Sequence, residues 1–214
     1  GEFGEALRRA VESGDLDLAV VILRIGWFDI LRDENRSQNR QTLESLSSAR
    51  LLNHPLLAMA LGLLFNGDGH RRSKAVYYFG LAATGVRSRP DRMGPAQRAL
   101  VLTSESAALR LMGRASASAA SARAALRALD AIHEERASLI GYLPRVYSQL
   151  GTSLFYAGHV TESLHAFARG YAEAGTADRA SFGNQAMAAG IPAVQGNLAD
   201  APAPLPQDAG SPPI

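Results

Sequence analysis

A short glycine-containing turn recurs along the chain, each time between two segments whose apolar residues follow helical spacing. Five residues after the glycine comes a small residue, except in the second copy, where it comes one position later. Glycine readily adopts the left-handed backbone that ends a helix, and a small residue lets two antiparallel helices approach closely. The repeated turn therefore predicts a series of helical hairpins. The glycines of the five copies are Gly14, Gly67, Gly113, Gly158 and Gly196.

The spacing of these glycines indicates how the hairpins are organised. They lie 53, 46, 45 and 38 residues apart, so each interval has room for one helical hairpin. A single hairpin cannot bury its apolar stripe alone, and hairpins of this kind stack on their neighbours. Clean period-two alternation is absent and β-branched residues are scarce. We therefore predict an all-α fold of stacked antiparallel helix hairpins.

Irregularities in the pattern give further expectations. The longer first interval leaves room for one additional short helix within residues 39–55, which should stop near the bond between His54 and Pro55. Asp15 and Asp68 are placed to cap the helices that follow their turns. Pro192 predicts a kink or a helix end near Gly190, because proline disrupts a helix interior.

The two ends of the chain differ from the repeats. Residues 1–4 are typical of a cloning remnant, and we expect the chain to be a segment of a longer protein. Residues 5–200 form the predicted repeat domain. Residues 201–214 hold five of the ten prolines and predict a flexible, extended tail.

Composition excludes several classes of function. The formal net charge is only +2, which argues against direct binding of nucleic acid. The chain has no cysteine, so disulfides and thiolate metal sites are excluded. The longest apolar run, Leu18 to Leu23, is far too short to span a membrane. We expect a cytoplasmic protein without membrane contact.

The turn at residues 66–73 is the one most like a ligand-binding loop. Asn66, Asp68 and His70 alternate as in a calcium loop, but the sixth and twelfth positions hold Arg71 and Tyr77 rather than glycine and a carboxylate. We therefore expect no metal. A basic cluster at a helix N-terminus is a possible anion contact, and the alternative is a solvated charged face. The cluster comprises His70, Arg71, Arg72 and Lys74.

No catalytic constellation stands out. The chain lacks the G-x-S-x-G and H-E-x-x-H patterns, and none of its many serines has a recognisable base partner. The adjacent Glu134 and Glu135 fall on different faces of a helix. We predict a non-enzymatic protein without a cofactor.

The concave face of the predicted array is the better candidate site. The first helix of each stacked hairpin usually lines this face, so positions equidistant from the aligned glycines should lie together. The middle and late repeats place arginine, tyrosine and small polar residues there, which suits a peptide or a small metabolite. The alternative is an ordinary solvated helix face. The candidates are Thr103, Ser104, Arg110, Tyr142, Arg145 and Gln149.

Trp27 and Phe28 form the remaining notable feature. The first interpretation is that they pack beneath the first hairpin. The second is that they contact an upstream domain or a second copy of the chain, as in a homodimer, which exposed aromatic area would support.

Hairpins of about 40 to 46 residues with these turns resemble tetratricopeptide repeats in their longer bacterial form. The stretch from Leu43 to Asp68 is similar to the superhelical sensor region of large LuxR-type transcription regulators, the maltose-activator-like ATPases. There, a short helix precedes a proline and an apolar helix that ends in Gly-Asp. The resemblance implies a right-handed superhelix.

The resemblance also implies a function. In that family the superhelix senses an effector small molecule or a regulatory protein, between an N-terminal nucleotide-binding domain and a C-terminal DNA-binding helix-turn-helix. This chain has neither a phosphate-binding G-x-x-x-x-G-K-[ST] loop nor a helix-turn-helix signature. We therefore expect the sensing segment alone. The rival hypothesis is a free-standing scaffold that binds a partner peptide and has no link to transcription.

Overall fold

The computed structural model describes residues 2–32, 36–66, 71–88, 93–132, 139, 141–173 and 179–194. These residues form twelve α-helices and no strand, so the predicted all-α class is confirmed. The helices are α1 (Glu2–Ser13), α2 (Leu16–Ile25), α3 (Trp27–Arg32), α4 (Arg36–Glu44), α5 (Ser48–Asn53), α6 (Pro55–Asn66), α7 (Arg72–Ser88), α8 (Pro95–Leu111), α9 (Ala115–Asp130), α10 (Leu143–Tyr156), α11 (Val160–Glu173) and α12 (Arg179–Val194).

Helices that are neighbours in sequence pack as pairs. The pairs α6–α7, α8–α9 and α10–α11 share the most extensive contacts, and α1 pairs with α2. The first helices of successive pairs also touch, since α6 contacts α8 and α8 contacts α10. The most deeply buried helix is α6, which contacts all the helices from α2 to α8. Its apolar residues therefore connect the N-terminal helices to the later pairs.

Three predicted turns adopt the expected backbone. Gly14, Gly113 and Gly158 have φ angles of 79°, 72° and 81°, in the left-handed region that favours glycine. After Gly113 the chain reverses with a 2.9 Å hydrogen bond from the Arg114 N–H to the Leu109 carbonyl. This bond satisfies a carbonyl of the last helical turn. The glycines of the second and fifth copies lie outside the described residues.

The small residue has the expected role after three of the turns, whereas Ser73 of the second copy is exposed and Ala201 of the fifth lies outside the described residues. Ala19, Ser118 and Ser163 are fully buried where the two helices of a pair approach each other. Ser118 donates from its hydroxyl to the Ser106 carbonyl at 2.8 Å, and Ser106 donates to the Ser118 carbonyl at 2.9 Å. These reciprocal bonds join α8 to α9 at a distance that a larger side chain would prevent.

The first interval differs from the prediction of one additional short helix. Between α2 and α6 it holds three, α3, α4 and α5. The last of these begins where Ser47 accepts a 3.3 Å hydrogen bond from the Arg50 N–H. The expected stop is confirmed, since α5 ends before His54 and α6 begins at Pro55. Asp15 caps α2 through the Leu18 N–H at 2.9 Å, as expected, whereas Asp68 lies outside the described residues.

Two further expectations concern the ends of the chain. Of the two outcomes predicted near Gly190, the helix end is wrong, because α12 continues through Pro192 to Val194, and the kink stays a prediction. Pro192 lies in the last turn and cannot donate to the carbonyl four residues earlier, but it removes only this one helical bond. Both Ile191 and Pro192 are buried, and this packing offsets the loss. Residues 2–4 belong to the first turn of α1, and Phe3 packs against the core. Residues 195–214 lie outside the described part.

No helix in the described ranges combines the length and the apolar character that crossing a membrane requires.

An ion pair between α9 and α11 should make stability depend on pH. Arg123 donates to both carboxylate oxygens of Glu162, at 2.7 and 2.6 Å, and this holds the pKa of Glu162 below its ordinary value of 4.5. Such stabilisation is present above the ordinary pKa and is lost as pH falls through the lowered one. Because the pair is partly exposed, Arg123→Met should cost at most about 1 kcal/mol at neutral pH.

Urea unfolding of both chains at pH 7 and near pH 3 tests this expectation. The difference between wild type and Arg123→Met should shrink at the lower pH, where Glu162 becomes protonated. A difference of equal size at both values would show that the lost packing of the arginine stem, and not the charge pair, is responsible.

Candidate functional site

Two of the predicted groove residues meet directly. Arg110, in the last turn of α8, donates from Nη2 to the side-chain oxygen of Gln149 on α10 at 3.0 Å. Its Nη1 donates to the Gln149 carbonyl at 3.2 Å and to the Ser153 hydroxyl at 3.1 Å. The Tyr156 ring centre lies 6.0 Å from the guanidinium carbon. We call this surface the α8–α10 face, comprising Arg110, Gln149, Ser153 and Tyr156.

The charge of Arg110 is not balanced by an acid in the part of the chain that the structure describes. Among the described residues no carboxylate forms an ion pair with it, and its hydrogen-bond partners are all neutral. Burial lowers the pKa of Arg110, and the guanidinium remains charged because an arginine titrates far above neutral pH. Three contacts leave N–H groups of a five-donor group for another acceptor. The α8–α10 face can therefore bind an anionic group such as a carboxylate or a phosphate.

Tyr142 and Arg145 lie together in another place, at the N-terminal end of α10. The Tyr142 hydroxyl donates to the Ile25 carbonyl, and the Phe28 ring centre lies 5.1 Å from that of Tyr142. The Arg145 guanidinium sits 5.2 Å from the centre of the Phe28 ring. Burial, with a smaller effect of the Asp29 charge, raises the pKa of Tyr142. The N-terminal helices thus cover the two side chains that the sequence assigned to an open groove.

The other two predicted groove residues contribute differently. Thr103 is buried, and its hydroxyl donates to the Ala99 carbonyl within α8 at 2.7 Å, so its side chain does not face a groove. Its position is apolar in the equivalent helix α6, where Leu57 is fully buried. Ser104 is half-buried and lines a cavity of about 380 Å³ between α6, α7 and α8, together with Leu63 and Leu111.

The predicted anion cluster at the start of α7 is divided. Lys74 pairs with Glu44 of α4 and lies 5.0 Å from the centre of the Phe65 ring. Arg72 instead lines the 380 Å³ cavity, and Arg71 is exposed just before the helix. His70 lies outside the described residues. The described members therefore face different surroundings, and the hypothesis of a shared anion contact stays a prediction.

The aromatic residues Trp27 and Phe28 both pack inside the protein, to different extents. Trp27 is only 3% exposed and belongs to the core, as the packing interpretation expects. Trp27 therefore does not form the exposed aromatic area that would support contact with an upstream domain or a second copy. Phe28 is half-buried against Tyr142 and Arg145, which joins α3 to α10.

Sequence reasoning missed the apolar surface at the helix ends. Leu111 is 74% exposed and Tyr156 is 69% exposed, although large apolar side chains are usually buried. Their signal was present in the runs of apolar residues just before Gly113 and Gly158, where one helix cannot bury every side. Ser153 was missed because a serine on a helix carries no signal of its own. The described ranges contain no group of three acidic or histidine residues fit to hold a metal.

Comparison of the chain with protein-family models, with curated proteins and with solved structures finds no match. The functional account therefore depends on the geometry of the chain's own residues.

Proposed function

We propose that this chain is a non-enzymatic binding module whose α8–α10 face holds an anionic group of an effector or a partner protein. One observation carries the proposal: Arg110 is fixed in orientation by Gln149 and Ser153, yet no described carboxylate neutralises it. A fixed, uncompensated guanidinium is a recognition group for carboxylate or phosphate. The exposed Tyr156 ring next to it would supply apolar contact.

We further propose that the hairpins form a right-handed superhelix of the tetratricopeptide type. Three left-handed glycine turns and three buried small residues at equal distances after them support this assignment. The contacts of α6 with α8 and of α8 with α10 also support it, because first helices of successive repeats stack in this way. In such an array the α8–α10 face would belong to the inner, concave surface.

The most specific context we propose is the sensor segment of a cytoplasmic LuxR-type transcription regulator. Its support is the resemblance of residues 43–68, where α5, Pro55 and the apolar α6 follow each other in the expected order. Binding to the α8–α10 face would favour one arrangement of the superhelix relative to neighbouring ATPase and DNA-binding domains. Sequencing the gene on both sides of this segment tests the context: both domains should be encoded there, and their absence would contradict it.

A free-standing scaffold that binds a partner peptide is the second candidate. The exposed Tyr156 beside Arg110 favours it, since a peptide could place an acidic and an apolar side chain at once. This candidate requires no ATPase or DNA-binding neighbour. The two candidates share the same contact on Arg110 and differ only in what surrounds the module.

Selection from a random peptide display library tests the shared claim. Peptides enriched on the wild-type chain should contain Asp, Glu or a free C-terminal carboxylate, and Arg110→Ala should reduce their affinity at least tenfold, about 1.4 kcal/mol. Arg50→Ala is the matched control, because Arg50 is an exposed arginine on α5, and this variant should bind normally. Enriched peptides that bind Arg110→Ala as tightly as wild type would contradict the proposal.

A further inference from the structure

A second surface lies on another side of α8, between α7 and α9. These two helices flank α8 and leave a cleft of about 450 Å³ above it. At one end of the cleft lie Val76, Met112 and Arg114, and at the other end lie Arg87 and Glu105. We call this surface the α7–α9 cleft, and none of its residues belongs to the α8–α10 face.

The length of the cleft matches about three turns of a helix, one face of which it could accept. Its α7 wall runs from Val76 to Arg87, which corresponds to about 16 Å, or three helical turns, at 1.5 Å per residue. The opposite wall presents Ala117 and Ala120, and α7 contributes Gly80. Walls of such small residues allow the backbone of another helix to approach closely.

The open end of the cleft exposes apolar side chains. Val76 is 53% exposed and Met112 is 48% exposed. Both also line the neighbouring 380 Å³ cavity, which adds Leu111, so the two cavities form one continuous apolar surface. A contiguous exposed apolar surface on a helical protein is typical of a site for a partner.

The charges around the cleft are predominantly positive. Arg114 lines it directly and Arg72 lines the adjoining cavity, and neither side chain forms an ion pair with a described residue. The one lining carboxylate, Glu105, is buried and already engaged by Arg87 at 2.6 Å and by the Ser121 hydroxyl at 2.8 Å. Negative charge on an occupant would therefore complement the exposed arginines at the apolar end.

We propose that the α7–α9 cleft binds an acidic amphipathic helix of a partner protein. The apolar face of that helix lies on Val76 and Met112, and carboxylates at its edge pair with Arg72 and Arg114. This is the helix-in-groove mode of recognition, with anchors spaced along one helix face. The site is independent of the α8–α10 face, and it operates whether or not Arg110 binds a ligand.

The probe is a synthetic helical peptide of about 15 residues, with Leu and Met at i, i+3, i+4 and i+7 and Glu on its flanks. The matched control peptide has Lys in place of every Glu. Fluorescence anisotropy with the full chain should show saturable binding of the acidic peptide, weakened by salt, and at least tenfold weaker binding of the basic one. Equal binding of the two peptides, or no binding of either, would overturn the proposal.

Variants of the chain test whether the acidic peptide binds in the α7–α9 cleft. Arg114→Glu should weaken the acidic peptide at least tenfold, and Ala117→Trp, which fills the cleft, should do the same. Circular dichroism checks that Ala117→Trp folds. If it does not fold, Arg114→Glu still tests the site, because Arg114 is exposed and its substitution should leave the fold intact. Arg50→Glu, at an exposed arginine on α5, should bind as wild type does.

Two results would contradict the assignment of the site. Loss of binding in Arg110→Ala with normal binding in Arg114→Glu would move the peptide to the α8–α10 face. A dimer in sedimentation equilibrium that Ala117→Trp dissociates would identify a second copy of the chain as the occupant instead.

Discussion

Replacing Phe65 by alanine is expected to lower the free energy of unfolding by about 3–5 kcal/mol. Phe65 is fully buried near the end of α6, and its ring stacks on that of Tyr78 with centres 5.5 Å apart. The cations of Arg40 and Lys74 lie 5.4 and 5.0 Å from its centre. Alanine would leave a cavity and remove the ring that α4 and α7 both contact. Urea unfolding followed by circular dichroism measures the loss.

Two controls define how the Phe65 result is interpreted. Phe65→Leu keeps most of the buried volume and should cost clearly less, about 1.5 kcal/mol. Tyr171→Ala removes an aromatic ring that is 46% exposed and should change stability by less than about 0.5 kcal/mol. If Phe65→Ala were no more destabilising than Tyr171→Ala, the packing of α4, α6 and α7 described above would be wrong.

Two glycines in α7 should respond in opposite directions to the same substitution. A Cβ on Gly85 would lie 2.5 Å from Cγ of Pro55 and 2.6 Å from the Leu52 carbonyl oxygen, which belongs to the backbone. The resulting overpacking should cost about 1–3 kcal/mol in Gly85→Ala. A Cβ on Gly80 would meet nothing within 4 Å. Gly80→Ala should therefore stabilise the chain by about 0.5–1 kcal/mol, because alanine favours a helix interior.

The pair of variants is its own control, since the helix and the chemical change are the same. Thermal unfolding of both variants at one protein concentration and pH gives the two signs directly. Stabilisation by Gly85→Ala would mean that α7 does not lie as close to Leu52 and Pro55 as the structure places it.

The helical hairpins could be predicted from sequence because their determinants are local. A glycine at Gly113 or Gly158 ends its helix through its own backbone, and the small residue five positions later follows from the geometry of the turn. The three short helices of the first interval could not be counted correctly. Ser47, for example, is one of many serines, and its role as a cap depends on a backbone angle. The continuation of α12 past Pro192 depends on burial of the last turn, which sequence spacing does not reveal.

The candidate site could be predicted only in part. Counting positions back from aligned glycines placed Arg110 and Gln149 on the same surface, and the structure joins them by a hydrogen bond. Tyr142 and Arg145 met the same criterion, but contacts with Phe28 and Ile25 cover them. The Tyr142 contact spans 117 residues of chain, so no local pattern reports it. Exposed apolar residues such as Leu111 were missed although the apolar run before Gly113 contains their signal, because the sequence does not show which side of the helix its neighbours cover.

Binding of an anionic group by Arg110 is tested most directly by nuclear magnetic resonance of the arginine Nε–H groups. The full chain would be titrated with a peptide enriched by display, with Arg110 assigned by comparison with Arg110→Ala. We predict that the Arg110 Nε–H resonance shifts saturably with the peptide, while that of Arg50 stays in place. A saturable titration that leaves the Arg110 resonance unmoved would show that the peptide binds elsewhere and would contradict the account.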